Sequence, residues 1–249
     1  MLQNALKLND EKTEILYVST KLNLQKTAFP CISIGKSIIE PSDKAKNLGV
    51  LFDSMLNMES QVNAITKSCF YHLYNVGKIR KYLNKSTVEK VIHAMISSRL
   101  DYCNSLLSGV SKNLIGKLQR VQNSAARIVC QVSRREHMTP VLHSLHWLPV
   151  EKRIEYKILL LIYKAIQCAS PSYLCDILQN YTPVKTLRSS SYKLLSVPKT
   201  KFKSYGDRAF SVFGPKLWNK LPERIKSIES IDTFKTELKT FLFKEYYGS

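Results

Sequence analysis

Between Ser42 and Thr139 the chain contains no proline, and from Met58 onward its apolar residues recur at three- and four-residue intervals. Proline inside a helix removes a backbone hydrogen bond and clashes with the preceding turn. A long proline-free stretch with this period therefore predicts long helices. Met58, Val62, Ile65, Cys69, Leu73 and Val76 define one apolar stripe. Val88, Val91, Ile92 and Met95 begin a second, and Ser86 followed by Glu89 is a capping-box signal for its start. Leu114, Leu118, Val121, Ala125 and Ile128 define a third.

The flanks read differently. In the first 55 residues Ile15 to Val18 are expected to form a short apolar strand. Ile32 and Ile34 alternate with polar residues before a Gly35-Lys36 turn and Ile38-Ile39, which predicts a hairpin. Lys46 to Phe52 is expected as a further strand, with Gly49 marking a bulge or a close backbone approach. After Pro140 the prolines return, so the helices are expected to be shorter and broken. Pro149 stands at a helix start followed by Ile154, Ile158, Leu161, Ile162 and Ala165. Pro171 is expected to close that helix and open another through Leu174, Ile177 and Leu178. Residues 182–208 are Ser-, Pro- and Lys-rich and expected to be extended. A last helix starts at Asp232 as N-cap, with Phe234, Leu238, Phe241 and Leu242 on one face. The expected fold is α+β and predominantly α: short N-terminal strands in 1–56, a basic helical bundle in 57–137, and a proline-broken helical domain in 138–249.

Charge narrows the function. The 249 residues carry 38 Lys and Arg against 19 Asp and Glu, a net of +19. The excess is concentrated: residues 58–135 hold thirteen basic and three acidic side chains, whereas residues 1–55 have a net of only +1. A field of that sign favours polyanions, either nucleic acid or an anionic membrane surface. The longest apolar run, Ile158 to Tyr163, is far short of the roughly 20 residues that span a bilayer. Lys7, Asp10, Glu11 and Lys12 interrupt any secretory core. Six scattered cysteines without a CxxC pair fit a reducing cytoplasmic or nuclear compartment. An intracellular protein with no membrane partner is expected.

Two rows of side chains fit a nucleic-acid partner. Lys67, Tyr71, Tyr74, Lys78, Lys81 and Lys85 follow one another at spacings of 4, 3, 4, 3 and 4, which is one helix face. Ammonium groups there can neutralise phosphates while tyrosines pack on sugars. On the third helix Arg120, Arg127 and Arg134 recur every seven residues, with Lys117 one turn before Arg120. Lys199, Lys201 and Lys203 add charge in the extended segment. The competing reading is a solvated helix face with the tyrosines half-buried in the core. Other chemistries find little support. Cys130, His137, His143 and His146 are too loosely spaced for a zinc knuckle. There is no Gly-x-Ser-x-Gly and no phosphate-cradling glycine loop. His146-Trp147-Leu148-Pro149 reads as a packed helix junction, with Trp as anchor and Pro starting the next helix. No catalytic residue, metal or cofactor is assigned.

Three blocks carry a family resemblance: Arg99-Leu100-Asp101-Tyr102-Cys103-Asn104-Ser105-Leu106-Leu107, Leu118-Gln119-Arg120-Val121-Gln122-Asn123-Ser124-Ala125-Ala126-Arg127, and Leu145-His146-Trp147-Leu148-Pro149. Flanking matches are Asn4 to Asn9 with Lys12-Thr13-Glu14, and Asn47 to Val50. Further matches are Leu187-Arg188-Ser189, Tyr205 to Phe210, Leu217 to Pro222, and Phe234-Lys235. In this order and spacing the chain resembles the C-terminal part of the reverse transcriptase of non-LTR (LINE-type) retrotransposons of the jockey and chicken-repeat kind. The resemblance implies that 1–56 is the end of the palm with a primer-grip-like hairpin. It implies further that 57–137 is the thumb that grips template and primer, and 138–249 the C-terminal domain. In that family the metal-binding aspartates lie upstream of the segment matching Met1, and the position of Met1 itself lies inside a continuous helix leading to the Leu-Lys-Leu-Asn segment, so Met1 is expected to be an internal methionine. The chain has no Asp-Asp pair, and two-metal chemistry needs clustered carboxylates. The expectation is a non-catalytic fragment that binds RNA or RNA–DNA hybrid without reading sequence, whereas the full-length family enzyme would use Mg. Residues 1–55, parted from the rest of a palm, are expected to leave apolar faces uncovered. The alternative is a genomic relic without function, or a helical protein-interaction module reused by the host.

Overall fold

The side-chain period of two near the N-terminus yields antiparallel ladders, and the longer period after it yields helices. The computed structural model describes residues 9, 12–27, 29–35, 37–182, 193–202 and 205–248. The architecture is α+β and predominantly α, as expected from the sequence. The chain divides into two compact units, residues 1–64 and 65–249. The stretches expected as thumb-like bundle and C-terminal domain lie, from residue 65 on, within one unit.

In the first unit a short helix α1 (Lys21–Lys26) is capped by Thr20, whose hydroxyl accepts from Asn23 N. Strands β1 (Ile32–Ile34) and β2 (Ser37–Ile39) pair antiparallel, Ile32 opposite Ile39. Gly35 turns the chain at φ 61°, so the expected hairpin forms. Lys36, the other half of that turn, lies outside the described residues.

The single strand expected over Lys46–Phe52 is instead a second hairpin, β3 (Lys44–Asn47) against β4 (Val50–Asp53). Its turn is Leu48-Gly49, both left-handed (φ 46° and 83°), which is the type I′ arrangement that matches strand twist. A leucine at the first turn position is what hides it. Leucine reads as strand, yet here it is 83% exposed and in a backbone region it rarely adopts. Ile15 to Val18 do not form the expected strand. Ile15 makes one isolated parallel bridge with Pro41, and Tyr17 stacks on Phe29 at 4.5 Å. Apolar faces are uncovered here as expected: Leu22, Ile32, Ile38 and Leu48 are all exposed.

Helix α2 (Glu59–Ile79) begins at the end of this unit. The buried Asp53 carboxylate accepts from Asn57 N (2.8 Å) and Met58 N (2.7 Å), satisfying donors that the approach to the helix leaves free. All six residues of the expected α2 stripe, Met58 through Val76, are buried.

In the second unit α2 continues to Ile79 and gives way to a 3₁₀ turn, Arg80–Tyr82. Helix α3 (Lys85–Ile92) follows. Its cap is Asn84, whose side chain accepts from Thr87 N at 2.8 Å, and not the expected Ser86. A π-helical turn, His93–Ser97, joins α3 to α4 (Ser98–Asp101). Its wider turn shifts the buried face by one residue, so Ile92, Ile96 and Leu100 are buried while Met95, expected in the core, is exposed. A 3₁₀ turn, Asn104–Leu107, leads towards α5 (Lys112–Cys130). Leu114, Leu118, Val121 and Ala125 of α5 are buried as expected, with Ile128 half-buried.

After Pro140 the helices are not uniformly short. α6 (Met138–Ser144) and α8 (Ser172–Ile177) are, but α7 (Val150–Ile166) and α11 (Ile231–Tyr247) have 17 residues each. Pro149 and Pro171 are the N-caps of α7 and α8, and Pro140 is in the first turn of α6, where a missing N–H costs nothing. α7 ends at Ile166, before Pro171 rather than at it. Among the described residues only Pro215 lies inside a helix beyond its first turn, in α9 (Phe210–Lys220), and the adjacent Gly214 lets α9 press on α7. A Cβ on Gly214 would lie 2.9 Å from Ile162 Cδ1. A short α10 (Glu223–Lys226) precedes α11, which is capped by Ser230 through Thr233 N rather than by Asp232. Phe234, Leu238 and Leu242 of α11 are buried, and Phe234 stacks on Tyr163 of α7 at 4.0 Å. Burying side chains of this size is worth roughly 1.5–3 kcal/mol each.

The blocks that carry the resemblance are joints in this second unit. Arg153 near the start of α7 forms a two-pronged ion pair with Asp101, one prong being Nε to Oδ1 at 2.8 Å. Gln122, buried on α5, donates to Leu148 O (2.8 Å), and Gln119 Oε1 accepts from Val150 N (2.9 Å). Pro149 offers no capping side chain, so Gln119 caps α7 from a neighbouring helix. Arg208 Nε donates to Ser108 O (3.0 Å), and a Cβ on Gly109 would meet Arg208 Cγ at 2.6 Å. Asn219 pairs with both backbone groups of Leu195, and Trp218 Nε1 donates to Lys193 O at 2.7 Å. Trp147, Leu148 and Pro149 are buried, so the expected packed junction is present.

Candidate nucleic-acid interface

On α2 the sequence runs from Ser60 to Val88 without an acidic side chain, and the helix presents Lys67, Tyr71, Tyr74 and Lys78. At 100° per residue these four fall within about 60° of one another. All are exposed, Tyr71 at 65% and Tyr74 at 62%. The tyrosines are therefore not core residues, and the half-buried reading fails for both. Lys78 Nζ lies 4.3 Å from the centroid of the Tyr74 ring. A ring held against its cation keeps both in place at low entropic cost.

The row as expected ran on through Lys81 and Lys85, but the helix does not. α2 ends at Ile79, so Lys81 sits in the 3₁₀ turn and Lys85 opens α3. Both are exposed, and Lys81 lies over Tyr82 at 4.8 Å. The break has a cause the sequence did not disclose. Arg80 turns inward, donating to Leu83 O (2.7 Å) and to Ile128 O (2.8 Å) and Val129 O (3.1 Å) at the C-terminus of α5. A cation there meets carbonyls that α5 leaves unpaired and the negative end of its dipole. This bond set fixes the end of the α2 row beside the end of α5.

That end of α5 carries the second basic group. Arg120 is exposed on α5, and Lys117 is half-buried. Arg127 is half-buried, and its Nη2 donates to Arg134 O at 3.4 Å, while its Nε is buried without a protein partner. α5 ends at Cys130 and Gln131 is left-handed (φ 54°), so Arg134 stands in the following turn and not on the helix. The expected seven-residue row is thus two helical arginines and one folded back to meet them. Arg127 and Arg134 line a shallow hollow of about 550 Å³ with Ser124, Ile128 and Val132. Two guanidinium groups and an orphaned N–H at one hollow suit an anion with several oxygens.

Lys199 and Lys201 are exposed on the irregular segment 193–202 and belong to neither row. Of the stretch expected to be extended, Gly206–Arg208 is a 3₁₀ turn. Lys203, the Leu187-Arg188-Ser189 match and Asn4 to Leu8 lie outside the described residues. Phe70 and Tyr82, both exposed beside the α2 row, were missed in the sequence. Their signal was present as aromatics without a core spacing.

His143 and His146 lie 5.1 and 5.7 Å from Phe243. Among the described residues no three His, Cys, Asp or Glu side chains converge, and no helix is long and apolar enough to cross a membrane. Compared with protein-family models, with curated proteins and with solved structures, the chain matches none.

Proposed function

We propose that this chain is the thumb-bearing, C-terminal part of a non-LTR retrotransposon reverse transcriptase, and that it binds RNA or RNA–DNA hybrid through phosphates without polymerising by itself. The observation that carries the binding is the acid-free, solvent-exposed Lys/Tyr row of α2, pinned by Arg80 beside the Arg127–Arg134 hollow. Lysines and arginines take phosphates, and exposed tyrosine rings pack on sugars or unstacked bases. The resemblance supports the family reading, because its blocks supply the part-buried Arg153–Asp101 ion pair, the glutamine braces and the Trp147 anchor that set the helices. Phosphates carry no sequence code, so the binding is sequence-independent.

Fluorescence anisotropy with a labelled RNA–DNA hybrid tests this at two salt concentrations. Some 6–10 phosphate contacts predict a loss of about 10³–10⁵ in affinity between about 50 and 200 mM salt, similar for unrelated sequences. No binding at low salt, or binding indifferent to salt, would overturn the proposal and leave a protein-interaction module or a relic.

A further inference from the structure

The α2 row carries more ring surface than a grip on phosphates needs. Phe70, Tyr71, Tyr74 and Tyr82 are exposed by 43, 65, 62 and 75%. Helical spacing makes the first three one patch. Tyr74 lies four residues from Phe70 and three from Tyr71, the separations at which side chains on a helix are neighbours. Tyr82 stands in the 3₁₀ turn where α2 ends. Gly77, one turn beyond Tyr74, adds no side chain, and a Cβ there would meet nothing within 4 Å. A glycine inside a helix is unfavourable, and this one leaves the space beside the rings open.

Other tyrosines of the chain show the contrast. Tyr17, Tyr163 and Tyr247 each donate the hydroxyl to a backbone carbonyl and pack on a phenylalanine ring. Among the described residues the hydroxyls of Tyr71, Tyr74 and Tyr82 have no protein partner, and no ring packs on Phe70, Tyr74 or Tyr82. Tyr71 meets another ring only edge-on, that of His72 at 5.4 Å and 75°. Lysines lie over Tyr74 and Tyr82 at 4.3 and 4.8 Å, so cation and ring stand side by side.

We infer that this face is a stacking platform for unpaired bases, and that the chain therefore prefers a single-stranded stretch of nucleic acid to a duplex. This rests on the phosphate-binding reading above and adds to it what the rings select. Phosphates are offered by single strands and duplexes alike, and a duplex offers them at higher density. Charge alone would thus favour the duplex. In a duplex, however, each base face is covered by the next base pair, and a tyrosine can reach only sugar, phosphate or a groove edge. An unpaired base has a free π-face whatever its identity. Removing a ring that holds such a base costs about 5- to 150-fold in affinity, so the rings reverse the order that charge would set. A second copy of the chain fits this face less well. An isologous contact would set the lysines of an acid-free stretch, Ser60 to Val88, against themselves.

Fluorescence anisotropy on the full chain tests this with three labelled probes of equal length at one salt concentration. They are an unstructured single-stranded RNA, the same strand without its bases, and an RNA–DNA hybrid. The RNA strand should bind at least about fivefold more tightly than the abasic strand, and more tightly than the hybrid. Tyr71→Leu/Tyr74→Leu keeps every charge and leaves good helix formers at two exposed positions. It should weaken RNA binding by at least about fivefold and leave the abasic strand and the hybrid within about twofold. The abasic comparison needs no variant, and it decides the matter if the double variant does not fold. The inference is overturned if the abasic strand or the hybrid binds as tightly as the RNA, or if the double variant weakens all three probes alike. It is equally overturned if the variant weakens none, which would assign the rings to a protein contact. Equal, steeply salt-dependent binding of all three probes would sink the platform and leave the phosphate grip. Base-dependent binding that ignores salt would sink the grip alone.

Discussion

Replacing Gln122 by Leu removes one amide from a buried joint while nearly keeping its volume. In the native fold Gln122 Nε2 donates to Leu148 O, and Gln122 Oε1 accepts from Gln119 Nε2 at 3.0 Å. Gln119 Nε2 keeps a second acceptor, Asn123 Oδ1 at 2.8 Å, so the one group stranded is the Leu148 carbonyl. A buried carbonyl without a partner costs about 1–3 kcal/mol, and the added apolar burial offsets less than about 1 kcal/mol of this. The net loss of about 1–2 kcal/mol lowers Tm by about 2–8 °C for a chain of this size. Thermal unfolding followed by circular dichroism measures it. Gln119→Leu acts on the same joint by uncapping α7, so the double variant should depart from additivity by about 0.5 kcal/mol or more. An unchanged or raised Tm in Gln122→Leu, or strict additivity of the pair, would refute a structural role for these glutamines.

Arg80→Ala should cost about 2–4 kcal/mol, because three carbonyls and a helix dipole lose a charged donor. In urea the midpoint would fall with little change in slope. Burial pushes the Cys69 thiol up to about 11, against the opposing charge of Arg99. Under native conditions near pH 8 a thiol reagent should therefore modify the exposed Cys31 and Cys168 while sparing Cys69. Burial, with a smaller effect from Tyr246, pushes the Tyr247 hydroxyl up to about 12, and that hydroxyl donates to Trp147 O at 2.8 Å. The neutral phenol is the form the fold favours. Its contribution is complete below the ordinary tyrosine value near 10 and is lost as pH rises towards 12. Tyr247→Phe should flatten the fall of Tm over that range, as a pH series of melting curves would show.

How much of this was legible in the sequence differs by element. The α2 stripe was complete because every third or fourth residue is apolar and nothing interrupts the helix. The second stripe failed at Met95, since a π turn adds a residue and no composition rule marks where. Leu48-Gly49 went unseen because a leucine took the first left-handed turn position, against its preference. The basic face was readable up to Lys78. What lay beyond depended on Arg80, whose partners are 48 and 49 residues away. Spacing alone cannot tell a cation that points to solvent from one that caps another helix.

Under the proposed function the α2 row grips the polyanion. The most direct measurement is the slope of log affinity against log salt for RNA–DNA hybrid, in the native chain and in Lys67→Glu/Lys78→Glu. Both positions are exposed, so the fold should persist. Two lost phosphate contacts predict a slope shallower by about 1.8 and weaker binding for every sequence tested. An unchanged slope and affinity would contradict the claim.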